Sequence, residues 1–491
     1  MTFLFELPLT SAPKGSREVS AALYRELKDA ILDGRLKAGM RLPPTRSAKS
    51  AFGVSRNTAQ QVYESLAQEG LVSSRRGSGA YVAERRQKAP EPVDARAPPA
   101  SRFSSFWLSE EVRASIGFWN EPGEEQPPPK TRIDLRPALI DPRLFPFTIL
   151  RREMAKQLRR LETRPAPFKS AQGNQGTYPL RLAISQHIAL TRAVSCGEDD
   201  VLVTAGAQQA FDLIARILVK PGETVVAVED PGYPPMRVPF LAAGARLVPV
   251  DVDPEGIVVD RIPRDADVIF VCPSHQFPLG MTMSPERRKD LLEFARQTGA
   301  VIVEDDYDGE FRYDGAPLEA LRTHSSADQV FYVGTFSKCM LPSLRLGFIV
   351  APRWAMPALT AAKNAVDWHC PTPMQLAVAA FVREGHLARH VRRMRQTYGK
   401  RREFMLELLA GDLRGRFVAI ESCYGMHVTA LAERDDCETV SKALQGRGFE
   451  VHSLGRYHLG QPVRSGLIFG LGVADKAQLQ ELAPVLRDRL A

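Results

Sequence analysis

The chain has 491 residues, room for about three domains with real apolar cores, and carries 65 Lys and Arg against 57 Asp and Glu. No apolar run approaches the roughly 20 residues of a membrane span, and the opening MTFLFELPLTSAPKGS lacks the basic start of a signal peptide, so a cytoplasmic protein with no membrane partner is expected. The six cysteines, at 196, 272, 339, 370, 423 and 437, form no C-x-x-C pair, which argues against a zinc site or a disulfide framework, and no metal is expected.

The charge is uneven along the chain. Lys14 to Lys88 holds 15 Lys and Arg against 7 Asp and Glu, and the rest balances at 50 against 50. A basic start on a neutral body suggests a module for a polyanion. Within it, VSAALYRELKDAILDG sets Leu23, Leu27 and Ile31 on one helix face, with Gly34 as the stop. A short helix then begins at Pro44 and Thr45, Gly53 turns the chain, and Ser55 caps a further helix with Val62 and Leu66 inward. That helix shows Arg56, Asn57, Thr58 and Gln60 at its N-terminal end, the end a helix-turn-helix offers to base edges and phosphates. LVSSRRGSGAYV reads as a two-stranded wing with Arg75, Arg76 and Gly77 at its tip. From about Ser20 to Val82 the segment resembles the winged helix-turn-helix of GntR-family bacterial regulators, on its G-x-x-L-P-x-x-R…GVSR-T pattern and wing glycines. The resemblance implies double-stranded DNA as partner, contacted by Arg46, Ser55, Arg56, Asn57, Thr58, Gln60, Arg76 and Gly77. The module is expected over 14–84.

A linker is expected over 85–132, where KAPEPVDARAPPASR and NEPGEEQPPPK carry proline and charge without apolar period. Its middle, FSSFWLSEEVRASIGFW, differs. Phe106, Trp107, Phe118 and Trp119 gain nothing in water, so the stretch from about Phe103 to Asn120 is expected to dock on a folded surface, with the flanks left free.

From 133 to 491 helical patterns alternate with short Val- and Ile-rich runs: DVLVTAG, ETVVAVED, DVIFVCPS, AVIVEDDY, QVFYVGT and LGFIVAP. Runs apolar on both faces fit strands covered by helices, hence an α/β domain with a mostly parallel sheet.

The chemistry centres on GTFSKCMLPSLRLGF. Lys338 sits at the mouth of an apparently buried strand, where its amine could form a Schiff base with an aldehyde cofactor. Such a cofactor, pyridoxal phosphate, needs a carboxylate at its pyridine nitrogen, a ring to stack on, a phosphate cup and a partner for its phenolic oxygen. VIVEDDYDGEF offers the carboxylate. VTAGAQQAFDL offers a cup, in which Gly206 allows close approach and Ala207 and Gln208 open a helix whose N–H groups face an anion. Thr335 and Ser337 add hydroxyls, Arg345 adds a bidentate cation, and Tyr233 in EDPGYPP offers the ring.

With EDDYDGEFRY, PSHQFPLG and GTFSK in this order, the chain beyond about Ile133 resembles a fold-type I aminotransferase with a smaller C-terminal α/β subdomain. Joined to the α+β winged helix, it is similar to the MocR family of pyridoxal-phosphate-dependent regulators. The resemblance implies Lys338 as the Schiff-base lysine, Asp305 at the pyridine nitrogen, Tyr307 at the phenolic oxygen, Tyr233 on the ring, and Ala207, Gln208, Thr335, Ser337 and Arg345 on the phosphate. Three departures stand out. Asp305 and Tyr307 are two apart where aminotransferases show Asp-x-x-Tyr, which leaves Asp306 to cap or to face solvent. Phe277 holds the place of the Asn that bonds the phenolic oxygen, and His275 or Gln276 is open to replace it. The Arg that clamps a substrate carboxylate has Arg464, displaced toward the N-terminus, as its nearest counterpart and as candidate effector contact. The implied function is a homodimeric DNA-binding regulator that senses pyridoxal phosphate, or an amino compound, through an aldimine at Lys338. The alternative is a working aminotransferase with a DNA-binding appendage.

Overall fold

The computed structural model describes residues 16–75, 79–83, 104–118, 133–163, 174–314, 319–323, 327–433, 436–460 and 464–490. The chain divides into two compact units, Met1–Phe103 and Ser104–Ala491. In the first, α1 (Ser16–Leu32) packs on α3 (Arg56–Gln68) across Leu23, Leu27, Val62, Tyr63 and Leu66, all buried. The short α2 (Ala48–Phe52) ends at Gly53, whose φ of +68° is a left-handed conformation that favours glycine. Ser55 caps α3, its hydroxyl accepting from the Thr58 N–H at 3.1 Å. Strands β1 (Val72–Arg75) and β2 (Gly79–Val82) pair antiparallel as the wing. The wing-tip residues Arg76 and Gly77 lie outside the described residues.

The second unit opens with the aromatic part of the expected linker. Ser109 caps α4 (Glu110–Gly117), which packs on a later helix of the body, α8 below. Val112 is buried, and Phe118, only 3% exposed, meets the rings of Tyr233, His452 and Tyr457 edge-on at 5.9, 5.5 and 5.3 Å. The stretch therefore docks, though not through four rings. Phe106 is half-buried, Trp107 is 58% exposed, and Trp119 and the proline-rich flanks fall outside the described residues.

After the short β3 (Ile133–Asp134) come eight strands: β4 (Val201–Thr204), β5 (Val225–Asp230), β6 (Arg246–Asp253), β7 (Gly256–Ile257), β8 (Val268–Val271), β9 (Val301–Asp306), β10 (Val330–Thr335) and β11 (Gly347–Val350). They form one sheet in the order β4-β11-β10-β9-β8-β5-β6-β7. The run β6, β5, β8, β9, β10 is parallel, while β11 is antiparallel to both its neighbours and β7 is antiparallel to β6. The six expected strands are all present. The one long strand the sequence hid is β6, because Arg246, Pro249 and Asp251 leave it half exposed near the sheet edge and break the apolar run.

Alternate residues bury both faces of the sheet. Val226, Val228, Phe270 and Val333 join Phe211 and Phe240 on one side, and Ala227, Ile269, Val271 and Ile302 join Leu291, Leu292 and Ala295 on the other. The helices concerned are α7 (Ala207–Leu218), α8 (Pro234–Ala242) and α9 (Pro285–Thr298), while α5 (Phe147–Thr163) and α6 (Tyr178–Arg192) bury Leu150, Leu180 and Ile184 in a further core with Val201 and Val203 of β4. The chain ends in a smaller layer, in which β12 (Phe417–Ala419), β13 (His427–Ala432), β15 (His452–Ser453) and β16 (Gly466–Gly470) form an antiparallel sheet, and β14 (Phe449–Glu450) pairs with β3. This is the mostly parallel α/β body that the strand pattern implied, with the smaller C-terminal subdomain that the family resemblance implied. Among the described residues no helix is long and apolar enough to cross a membrane.

Candidate functional site

Parallel strands all end on one side, and the loops that follow them gather there. At that edge lies a cavity of about 360 Å³, lined by Ala138, Leu139, Ala207, Gln208, Tyr233, Phe277, Asp305, Tyr307, Thr335, Ser337, Lys338, Pro342 and Arg345. All nine residues proposed from sequence for a cofactor face this one space, although five separate stretches of chain supply them.

One end of the cavity is made for an anion. Helix α7 begins at Ala207, and its first N–H groups have no partner within the helix. Gly206, at φ +84°, adopts a conformation that side-chain-bearing residues rarely take, and a Cβ there would crowd the Arg345 guanidinium at 3.0 Å. Arg345 donates to the Ala205 carbonyl at 2.8 Å, and Thr335 Oγ1 donates to Ser337 Oγ at 2.9 Å. Lys363, fully buried behind the cup, donates to Gln209 Oε1, which also takes the Ala205 N–H, so the turn is braced from beneath.

The other end holds acid. Asp305 is buried and its Oδ1 has no hydrogen-bond partner among the described residues. Burial pushes its carboxyl well above the usual range, the Asp306 and Asp308 carboxylates push it further, and only Lys338 opposes them. A buried carboxylate oxygen without a partner is costly unless a cation comes to it, and a protonated ring nitrogen is such a cation. Its neighbour Asp306 does not face solvent. It is buried on the opposite side of the strand, paired with Arg192 at 2.6 Å and accepting from the Tyr332 hydroxyl at 2.5 Å. Strand alternation thus separates a structural aspartate from one that faces the cavity.

Between the two ends, Lys338 Nζ donates to the Ala138 carbonyl at 2.8 Å. Burial lowers its amine to about 8, against the raising effect of Asp308 and Asp305. A lysine near 8 supplies the neutral nucleophile at physiological pH far more readily than one near 10.5. Tyr233, at the N-cap of α8, lies edge-on to Phe277 at 5.7 Å. The residues therefore fit pyridoxal phosphate: an amine for its aldehyde, an orphan carboxylate for its nitrogen, a ring, and a helix start with hydroxyls and a guanidinium for its phosphate.

Sequence reasoning missed Ala138, whose φ of +62° turns its carbonyl to Lys338, because nothing in DLRPALIDP advertises that turn. It also left His275 and Gln276 open. Gln276 donates to the carbonyls of Pro231 and Phe277 and does not line the cavity, whereas His275 Nδ1 lies 2.7 Å from the Tyr307 hydroxyl. Arg464 is exposed just before β16 and is not part of the cavity wall.

In the winged-helix unit, Ser55, Arg56, Asn57 and Gln60 are exposed and Thr58 half-exposed at the start of α3, and Arg46 is exposed in the turn before α2. Part of this polar set is committed to structure. Ser55 and Thr58 share a hydrogen bond of 2.8 Å, and Gln60 donates to Glu64 at 3.0 Å. Arg46, Arg56 and Asn57 are the long polar side chains left to reach a duplex.

Residues 19–82 match the model of bacterial regulatory proteins of the gntR family, and residues 150–462 match that of class I and II aminotransferases, a fold that typically binds pyridoxal phosphate. The chain is 34% identical to the probable rhizopine catabolism regulatory protein MocR of Rhizobium meliloti, over 94% of this chain and 91% of that one. It is 28% identical to the pyridoxine biosynthesis transcriptional regulator PdxR of Corynebacterium glutamicum, over 99% of both. Among solved structures, Pyrococcus horikoshii kynurenine aminotransferase, crystallised with PMP, superimposes with a TM-score of 0.69 at 25% identity over 81% of this chain and 100% of that one.

Proposed function

The chain belongs to the MocR-type regulators, a gntR-family helix-turn-helix joined to an aminotransferase-fold body, and from that premise we propose that it is a DNA-binding transcriptional regulator that senses pyridoxal phosphate, or an amino compound reacting with it, at Lys338. The observation that carries the reading is the pairing in one cavity of a half-buried amine lowered to about 8 with a buried carboxylate oxygen that has no hydrogen-bond partner among the described residues.

Bound there, pyridoxal phosphate supplies an aldehyde to Lys338 and a ring that withdraws electrons. The rest is the work of this chain's residues. The α7 N-terminus, Thr335, Ser337 and Arg345 hold the phosphate and fix which way the ring enters. Asp305 keeps a proton on the ring nitrogen. Tyr233 and Phe277 confine the ring and exclude water. Lys338 would hold the cofactor's aldehyde, and its amine would be the group an amino compound has to displace, so Lys338 would serve as both anchor and sensor.

The route to the DNA runs through the linker. Phe118 lies against Tyr233, so whatever moves the stacking ring is felt where the docked tether ends. The proposed reading surface is Arg46, Ser55, Arg56, Asn57, Thr58 and Gln60 with the wing tip Arg76 and Gly77, on a duplex operator. A dimer would present two such helices to paired half-sites. The relatives named for rhizopine catabolism and pyridoxine biosynthesis fit an effector drawn from small amino compounds or the cofactor itself.

The test is direct. Purified protein given pyridoxal phosphate should turn yellow, and borohydride should then fix the cofactor's mass on the peptide carrying Lys338. A protein that stays colourless in excess cofactor overturns the reading.

A further inference from the structure

Aminotransferases bond the cofactor's phenolic oxygen with an asparagine, and here Phe277 stands in that place. Three buried groups behind the cavity wall bear on what replaces it. His275 Nδ1 lies 2.7 Å from the Tyr307 hydroxyl and 3.0 and 3.2 Å from the two oxygens of Asp308. Asp308 is itself held by the Met426 N–H at 3.3 Å. His275 is 2% exposed and does not line the cavity, whereas Tyr307 does. The imidazole fills a slot closed by glycines: a Cβ at Gly425 would fall 1.8 Å from its ring, and one at Gly280 would lie 3.3 Å from Nε2.

The hydrogen-bond inventory fixes where the ring proton goes. His275 Nε2 is buried without a hydrogen-bond partner among the described residues. A bare lone pair there costs less than an N–H with no acceptor. The Asp308 carboxylate facing Nδ1 demands a donor, so the proton belongs on Nδ1. His427, whose ring lies 4.8 Å away and tilted by 42°, agrees with this: its Nε2 must donate to the Pro278 carbonyl at 2.8 Å, which leaves its orphan Nδ1 as a lone pair too. With Nδ1 protonated, His275 has no lone pair to receive the Tyr307 proton. The tyrosine oxygen can only accept from it, and the tyrosine's own hydrogen is left for the cavity.

We propose that Asp308 and His275 are positioning residues that act through Tyr307, holding its hydroxyl as a donor toward an anionic oxygen of the bound cofactor in place of the missing asparagine. The inference rests on the reading that the cavity takes pyridoxal phosphate. The groups facing this cluster are Asp308, Tyr307 and Asp305 from the end of β9 and the loop after it, His427 from β13, Glu229 from β5, Cys272 beyond β8, and Lys338. The variants below leave all of them in place except the residue changed.

The measurement is the pH midpoint of the cofactor's visible band on the intact protein. A donor on the phenolic oxygen favours its anionic form, so losing that donor should move the midpoint upward, by about one pH unit. His275→Ala and Asp308→Asn should both raise the midpoint. His275→Asn, which keeps an N–H near the place of Nδ1, should stay close to wild type. In a Tyr307→Phe background His275→Ala should add nothing further, an outcome that a merely structural role would not produce. If His275→Ala does not fold, Asp308→Asn, alone and with Tyr307→Phe, gives the same readout. A yellow wild type whose midpoint is unmoved by Asp308→Asn and His275→Ala overturns the proposal, as does a shift that persists undiminished without Tyr307. A colourless wild type overturns the cofactor reading itself, and this inference with it.

Discussion

The two ends of the molecule place their functional groups in opposite ways. The helix-turn-helix displays Arg46 before α2 and Arg56 and Asn57 at the start of α3, all exposed and within a dozen residues of one another. The cavity of the body gathers Ala207 to Arg345 from five strand ends, buries Phe277, Asp305 and Thr335, and leaves most of the others half-buried. A surface site can be built up one contact at a time, each contact hydrated before and after. A buried site holds groups in states that water would not allow, such as an amine near 8 and a carboxyl pushed far up, and therefore depends on all its parts at once. Changes in the cavity should be close to all-or-none, and changes on the helix graded.

The largest effect belongs to Lys338. Lys338→Ala should abolish the visible band, and borohydride should fix no cofactor on the chain, as mass spectrometry would show. Asp305→Asn sharpens the contrast, because its two effects should have opposite signs. Asp305 is raised in the folded state, so above the ordinary carboxylate range it weakens the cofactor-free fold, and the cost is relieved only as pH falls. The variant should thus melt higher than wild type at neutral pH without cofactor, yet bind pyridoxal phosphate about 10- to 100-fold more weakly. A variant that binds as well as wild type would mean that Asp305 does not meet the ring nitrogen.

Arg56→Ala should be graded. If Arg56 reaches a guanine edge, operator binding should weaken by about 1–3 kcal/mol, mostly at one base position. If it meets only phosphate, all sequences should weaken alike and the salt slope should fall by about one. Unchanged binding in both Arg56→Ala and Arg46→Ala would remove α3 as the reading helix. The smallest effect is expected at Ser55, whose hydroxyl caps α3. Ser55→Ala should cost about 1 kcal/mol of winged-helix stability, read by thermal melting. A pH series separates the two sites again. Cofactor attachment to wild type should accelerate with pH and level off near 8, because only the neutral Lys338 amine attacks and burial lowers it that far. A rate still climbing past pH 9 would contradict the lowered amine.

The same contrast explains what could be read from the sequence. The winged helix was legible because its signals are local: Gly53 stops one helix, Ser55 starts the next, and the exposed arginine follows at once. The six strands β4, β5, β8, β9, β10 and β11 were legible because both their faces are apolar, whereas β6 was not, since its exposed face breaks the run. In the cavity, motifs marked nine of the wall residues. They could not mark Ala138, which contributes only a carbonyl, nor decide between His275 and Gln276, because that depends on which side chain the folded loop turns toward Tyr307. The docked linker was legible as a composition anomaly, yet the burden falls on Phe118 and Val112 and not on Trp107, which composition cannot tell apart from them.

The central claim is that the buried site speaks to the exposed one. The most direct measurement is the affinity of the full-length protein for the promoter DNA of its own gene, by fluorescence anisotropy, as pyridoxal phosphate is titrated. The account predicts that the affinity of wild type changes over the same concentrations at which the visible band appears, and that Lys338→Ala shows no such change. Superimposable DNA-binding curves for wild type with and without saturating cofactor, alone and with amino compounds added, would contradict it.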